Sequence, residues 1–94
     1  MTNAGRIARV FKVLSVETRV EMLEMLRSRS LCVNALAKSL GITPAAVSQH
    51  LRILRDADLV QAEKKGYFVH YRVNAEALAR LKRDADRFLT HEDA

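Results

Sequence analysis

The sequence predicts a mainly α fold with a small β-hairpin, a single domain over residues 1–94, and three observations predict it. Apolar residues recur at helical spacing along most of the chain, enough for about five helices. Residues 33–51, VNALAKSLGITPAAVSQHL, hold two of these stripes around one Gly and one Pro. Residues 67–73, YFVHYRV, are rich in aromatic and β-branched side chains and follow a charged stretch ending in Gly66, as a strand after a turn does. Two short helices joined by a tight turn, then a two-stranded hairpin, make a winged helix-turn-helix.

The chain opens with Ile7, Val10, Phe11 and Leu14 at i, i+3, i+4 and i+7, with Arg6, Arg9 and Lys12 off the stripe. That is an amphipathic helix. Ser15 is placed to cap the next helix, with Glu17 in its first turn facing the helix dipole. Val16, Val20, Leu23 and Leu26 line one face there, and Met22 and Met25 broaden it. So wide an apolar face predicts a central helix packed on two sides, the Met residues filling core rather than holding a ligand. Residues 27–30 are polar and close it. Leu31 either adds a residue of short strand or staples the next helix, whose N-cap falls near Cys32.

In the third helix Val33, Leu36, Ala37 and Leu40 form one apolar face. Gly41 follows at once, where a left-handed stop needs no Cβ. Ile42 packs the turn, Thr43 is an N-cap, and Pro44 takes the first helical position, where its missing N–H costs nothing. The fourth helix buries Val47, Leu51 and Leu54 and leaves Ala45, Ser48, Gln49 and Arg52 on the other side. Small residues permit close approach to a duplex, and Gln and Arg can each make paired hydrogen bonds to base edges. The competing reading is an ordinary helical hairpin in a small core.

Asp58 ends that helix, and Leu59, Val60 and Ala62 begin an extended run. Residues 63–66, EKKG, are a charged turn. Period two places Tyr67, Val69, Tyr71 and Val73 on one face of the following strand, and Phe68, His70 and Arg72 on the other. A hairpin tipped with Lys64 and Lys65 directly after a recognition helix suits the phosphate backbone or the minor groove, although a Lys-Lys turn is often just solvated. Asn74 caps a last helix striped by Leu78, Leu81, Ala85, Phe88 and Leu89. That stripe, with the one on the first helix, either joins two copies or packs on its own domain. Residues 91–94 are expected to fray.

Apolar residues make up 49% and charged residues 29%, so the chain is globular rather than disordered. The net charge of +5 favours a polyanionic partner. Residues 31–73 hold six basic and three acidic residues, so the excess includes the helix-turn-helix and the hairpin. One Cys allows no internal disulfide, and no apolar run approaches the roughly 18 residues of a membrane span. A cytoplasmic protein without a cofactor is expected. No Ser/His/Asp set or Gly-rich phosphate loop occurs, and the three His residues fall on different elements, which argues against an enzyme.

Three segments resemble the ArsR/SmtB family of winged-helix transcriptional repressors: FKVLSVETRVEMLEML, LCVNALAKSLGITPAAVSQHLRILRDADLV and KKGYFVHYRV. The resemblance runs from about Val10 to Asn74. It implies a homodimer joined through the first and last helices, here through Ile7, Val10, Phe11, Leu78, Leu81, Ala85 and Phe88. It also implies a roughly palindromic double-stranded DNA operator, released when an inducer reshapes the dimer. By position, Ala45, Ser48, Gln49 and Arg52 face bases and nearby phosphates. Thr43 and Pro44 open the helix against a phosphate. His50 packs or meets a phosphate, and Lys64, Lys65 and Tyr71 complete the DNA-binding set from the wing. A protein-binding winged helix that leaves DNA alone is the alternative function.

Soft-metal sensors of that family open the third helix with a Cys-Val-Cys pair, where this sequence reads Cys32-Val33-Asn34. One thiolate and a carboxamide make a poor soft-metal site. Zinc and nickel sensors carry an Asp-x-His pair on the last helix, where this one has Asp84-x-Asp86, then His91 and Glu92. No metal site is expected and the inducer is left unnamed. Cys32 is either a half-buried structural residue or, as a thiol at a helix N-terminus, a reactive sensor.

Overall fold

The computed structural model describes residues 2–90. In chain order these form α1 (Asn3–Val13), α2 (Glu17–Ser28), β1 (Leu31–Cys32), α3 (Val33–Leu40), α4 (Pro44–Asp56), β2 (Val60–Lys65), β3 (Phe68–Val73) and α5 (Ala75–Leu89). All five predicted helices are present. The wing is larger than the expected two strands: β1 joins it, giving an antiparallel sheet in the order β1-β3-β2. Leu31 lies opposite Tyr71 and Cys32 opposite His70.

The core sits between α2, α3, α4 and one face of the sheet. Met22, Leu26, Leu36, Val47, Leu51, Leu54, Leu59 and Val60 are each at most 2% exposed. Burying one such side chain stabilises the fold by about 1.5–3 kcal/mol. On α2 the buried face is Met22, Leu23 and Leu26, while Val20 is 36% exposed. The helix is therefore turned further toward Met22 than its Val and Leu residues alone predict, and it packs against α4 and β3. Ser15 does not cap it. Its hydroxyl donates to the Lys12 carbonyl at 2.7 Å, closing α1, and Val16 takes the N-cap position without a side-chain hydrogen bond.

Gly41 ends α3 at φ 68°, ψ 31°, and both its N–H and that of Ile42 point to the Ala37 carbonyl, the latter at 3.2 Å. Thr43 then caps α4, its Oγ1 accepting from Ala46 N at 3.1 Å, with Pro44 at the first position. The turn between the helices is fixed at both ends by local bonds, as the sequence predicts. α4 stops at Asp56, two residues before the expected Asp58, which instead takes a left-handed φ of 64° in the turn beyond. Asp tolerates that conformation better than most residues. Leu59 N returns to the Leu54 carbonyl at 2.9 Å and aims the chain into β2.

The hairpin turn differs from the charged EKKG turn read in the sequence. Lys64 and Lys65 are the last residues of β2, and the loop is Gly66-Tyr67 alone. Gly66 has φ 65° and Tyr67 has none of that sign, the pattern of a two-residue hairpin whose first central position needs Gly. Tyr67 is accordingly a fully exposed turn residue and not the first of β3.

Asn74 caps α5, accepting from Ala77 N at 3.3 Å. α5 packs against α1 within the chain. The molecule measures 55 × 24 × 23 Å, about two helix diameters thick. It cannot cover every apolar face of its outer helices: Phe11 is 41% exposed, Phe88 67% and Leu89 70%.

Candidate nucleic-acid interface

At about 100° per residue, Ala45, Ser48, Gln49 and Arg52 fall within one arc of α4, opposite Val47, Leu51 and Leu54. All four are exposed, as are Thr43 and Pro44 at the start of the helix. The burial of the inner three fixes the roll of the helix, and thereby which side chains look outward. His50 lies off this arc. Its ring is half-buried and Nδ1 is shielded from solvent without a hydrogen-bond partner.

Tyr71, distant in sequence, is brought to the flank of the same helix. It lines a cleft of 370 Å³ with Ser48, Leu51, Arg52, Arg55 and Asp56. Arg55 was not among the residues singled out from the sequence. Its signal is spacing, since Ser48, Arg52 and Arg55 stand at i, i+4 and i+7 along the border of the outward arc.

The two wing lysines separate. Lys64 pairs with Val69, in the row that continues through Ala62–Tyr71 and Val60–Val73, and so shares the sheet face turned toward α4. Lys65 pairs with Phe68 on the reverse face, with Glu63–His70 and Gln61–Arg72. There Arg72 and Glu63 form an ion pair at 3.5 Å, each about half exposed. Tyr71 thus meets Ser48 and Arg52 of the outward arc at that cleft, and Lys64 lies in the same strand-pair row as Tyr71 while Lys65 lies on the opposite sheet face.

Cys32 closes β1, half-buried, and occupies the N-cap position of α3 without a side-chain cap bond. Asp84 and Asp86 each face a cation, Arg87 at 3.3 Å and Lys82 at 2.7 Å. Among the described residues no three His, Cys, Asp or Glu side chains cluster to hold a metal ion. His91 and Glu92 lie outside those residues. Among the described residues no helix is long and apolar enough to cross a membrane.

The family model for the arsR family of bacterial regulatory proteins matches residues 17–62, α2 through the start of β2. The transcriptional repressor SdpR of Bacillus subtilis is 32% identical over 69 residues, covering 73% of this chain and 77% of SdpR. The chain belongs to the ArsR family. The HTH-type transcriptional regulator KmtR of Mycobacterium tuberculosis is 39% identical over 79 residues, 84% of this chain, and the match spans 61% of KmtR's length. An ArsR-like regulator from Rhodococcus sp. RHA1 superimposes with a TM-score of 0.82 at 32% identity, over 90% of this chain and 80% of that one. The homodimeric winged helix-turn-helix DNA-binding domain of Mb0332 from Mycobacterium bovis gives 0.75 at 30% identity, over 97% and 88%. The predicted winged helix-turn-helix is therefore the fold. As an ArsR-family protein the chain is a DNA-binding transcriptional regulator, which sets aside the protein-only module, and the family consists of regulators rather than enzymes.

Proposed function

We propose that this ArsR-family protein is a homodimeric repressor that acts in the cytoplasm, binds a roughly palindromic operator and lets go when an inducer alters the dimer. One observation carries the reading: Tyr71 of the wing lines a cleft with Ser48, Arg52 and Arg55 at the exposed arc of α4, so base-edge and phosphate contacts are available together. Gln49 and Arg52 read bases, and Thr43, Arg55 and Lys64 hold phosphates. Lys65 meets the backbone from beyond the hairpin tip. His50, half-buried, supports the helix from its flank.

Two copies related by a two-fold axis would set two α4 helices into successive major grooves, about 34 Å apart. The exposed Phe11, Phe88 and Leu89, beside the half-buried Ile7, Leu81 and Ala85, support pairing through α1 and α5. Val10 and Leu78 are already engaged, packed against the protomer's own core. The repressor named SdpR and the homodimeric Mb0332 are relatives in keeping with this reading.

The test is selection of bound sequences from a random duplex pool, with the mass of the free protein measured in solution. A two-fold symmetric consensus bound by a dimer, with affinity falling steeply as salt rises, is the expected result. A monomer, or binding indifferent to both sequence and salt, would overturn the proposal.

A further inference from the structure

The turn of the hairpin carries a side chain that the fold does not use. A two-residue turn of this kind needs Gly at its first central position, met by Gly66 at φ 65°, and accepts a small polar residue at its second. Tyr67 stands there instead, 100% exposed. Phe68 and Val69, the next two residues, are 60% and 42% exposed, so the tip presents three aromatic or aliphatic side chains to solvent.

The charge around this tip is positive and unspent. Glu63 is the one acid between residues 60 and 73, and Arg72 engages it at 3.5 Å. Among the described residues neither Lys64 nor Lys65 has a carboxylate partner. The register sends the two to opposite faces, Lys64 with Val69 and Lys65 with Phe68, so one ammonium stands on each side of the hairpin. The tip is also continuous with the recognition surface. Tyr71 lines the cleft with Ser48 and Arg52, and at about 3.3 Å per residue Tyr67 lies roughly 13 Å further along the hairpin. That step is comparable to the roughly 17 Å, half a turn of the duplex, between a major groove and the next minor groove.

We propose that Tyr67 enters the minor groove beside the base pairs read by α4 and wedges its ring against a base step there. This rests on the regulator reading above and adds a determinant of operator choice to it. The minor groove is about 6 Å wide, too narrow for the two-stranded ribbon that a major groove admits, but open to one side chain at the ribbon's tip. An inserted ring partly unstacks the step and kinks the duplex. Pyrimidine–purine steps, TA and CA above all, yield most easily, so the wing selects them without a hydrogen bond to a base. Lys64 and Lys65, on opposite faces of the hairpin, meet the phosphates of the two strands that border the groove. Their free charge favours this polyanion over an apolar protein surface. In a two-fold dimer one such step accompanies each half-site.

The test uses the full chain and the duplex selected from the random pool, with 2-aminopurine placed in turn at each position in and beside the base pairs read by α4. Binding of the parent should raise the fluorescence at one flanking step per half-site, the mark of lost stacking. Tyr67→Ala, at a fully exposed turn position, should melt like the parent, leave that fluorescence flat and bind about tenfold more weakly. Tyr67→Phe, which keeps the ring, should restore both. Repeating the selection with Tyr67→Ala should erase the preference for TA or CA at the flanking step and leave the positions read by α4 as they were. A parent that binds the selected duplex without any flanking rise overturns the proposal and leaves the regulator reading standing. A Tyr67→Ala protein that keeps the rise or the flanking preference does the same. So does one whose mass in solution falls while duplex binding is unchanged, since the ring then belongs to a contact between copies. A parent that binds no duplex at all overturns the regulator reading and the wedge together.

Discussion

Asn74 holds Asp58 from the threshold of α5: its Nδ2 donates to the Asp58 carbonyl at 3.0 Å while its Oδ1 accepts from Ala77 N at 3.3 Å. The side chain is 8% exposed, so neither bond is readily replaced by water. It ties the left-handed residue after the recognition helix to the first turn of the last helix. Asn74→Ala loses both bonds and should destabilise the fold by about 1–3 kcal/mol in urea unfolding. Asn74→Ser, which keeps a cap acceptor, should fall between the two. Equal stability of all three proteins would contradict the assignment.

On α2 the stability map should follow Met22 rather than Val20. Met22→Ala empties a fully buried site and should cost about 2–5 kcal/mol. Val20→Ala, at 36% exposure, should stay within about 1 kcal/mol. Thermal or urea unfolding of the pair decides it, and the reverse order would place the helix at a different roll.

Thr43→Ala should remove the Oγ1 cap on Ala46 N and cost about 1 kcal/mol. The same change loosens the turn that carries Ala45, so duplex affinity should fall with stability. Thr43→Ser should restore both. Recovery of stability without recovery of affinity would mean the methyl group, and not the cap, matters at the duplex.

Within the interface, Gln49→Ala and Arg52→Ala should each relax the choice of operator by about 1–3 kcal/mol per lost base contact. Lys64→Ala should lower affinity for all duplexes and flatten the salt slope by about one unit. Lys65→Ala should do the same more weakly, because its strand register turns it to the reverse face. Competition titrations with operator and random duplexes separate these cases. Identical profiles for all four variants would contradict the geometry.

Cys32→Ser should leave duplex affinity, and its response to zinc or hydrogen peroxide, unchanged within about twofold, since the sequence holds one Cys and no three His, Cys, Asp or Glu side chains gather among the described residues. A response present in the parent and lost in the variant would make Cys32 a sensor.

The legible parts of the sequence were those decided by neighbours along the chain. Gly41, Thr43 and Pro44 act within a few residues of themselves, so the turn followed directly, and the apolar spacing of Val47, Leu51 and Leu54 gave the roll of α4. What depended on distant partners did not. Leu31 and Cys32 become a strand only because Tyr71 and His70 arrive beside them. On α2 the stripe marked Met22, Leu23 and Leu26, which are buried, but not that Val20 at its edge would be left exposed. Arg9 and Asp56 are 47 positions apart, and nothing local announces their bond. In the hairpin, the choice between a four-residue charged turn and Gly66-Tyr67 turned on pairing register, which sets Lys65 opposite Phe68. The Lys64/Lys65 split follows from that register, as does the place of Tyr71 beside Ser48 and Arg52.

Two residues of β1 carry a mechanical consequence. Because Cys32 is bonded into the sheet and α3 starts at the very next residue, wing and helix-turn-helix share a seam with no slack in it. The hairpin is thus oriented before any duplex is met. Encounter with DNA then requires little ordering of the chain at that seam, and whatever dislodges the protein has to tilt this welded unit as a whole.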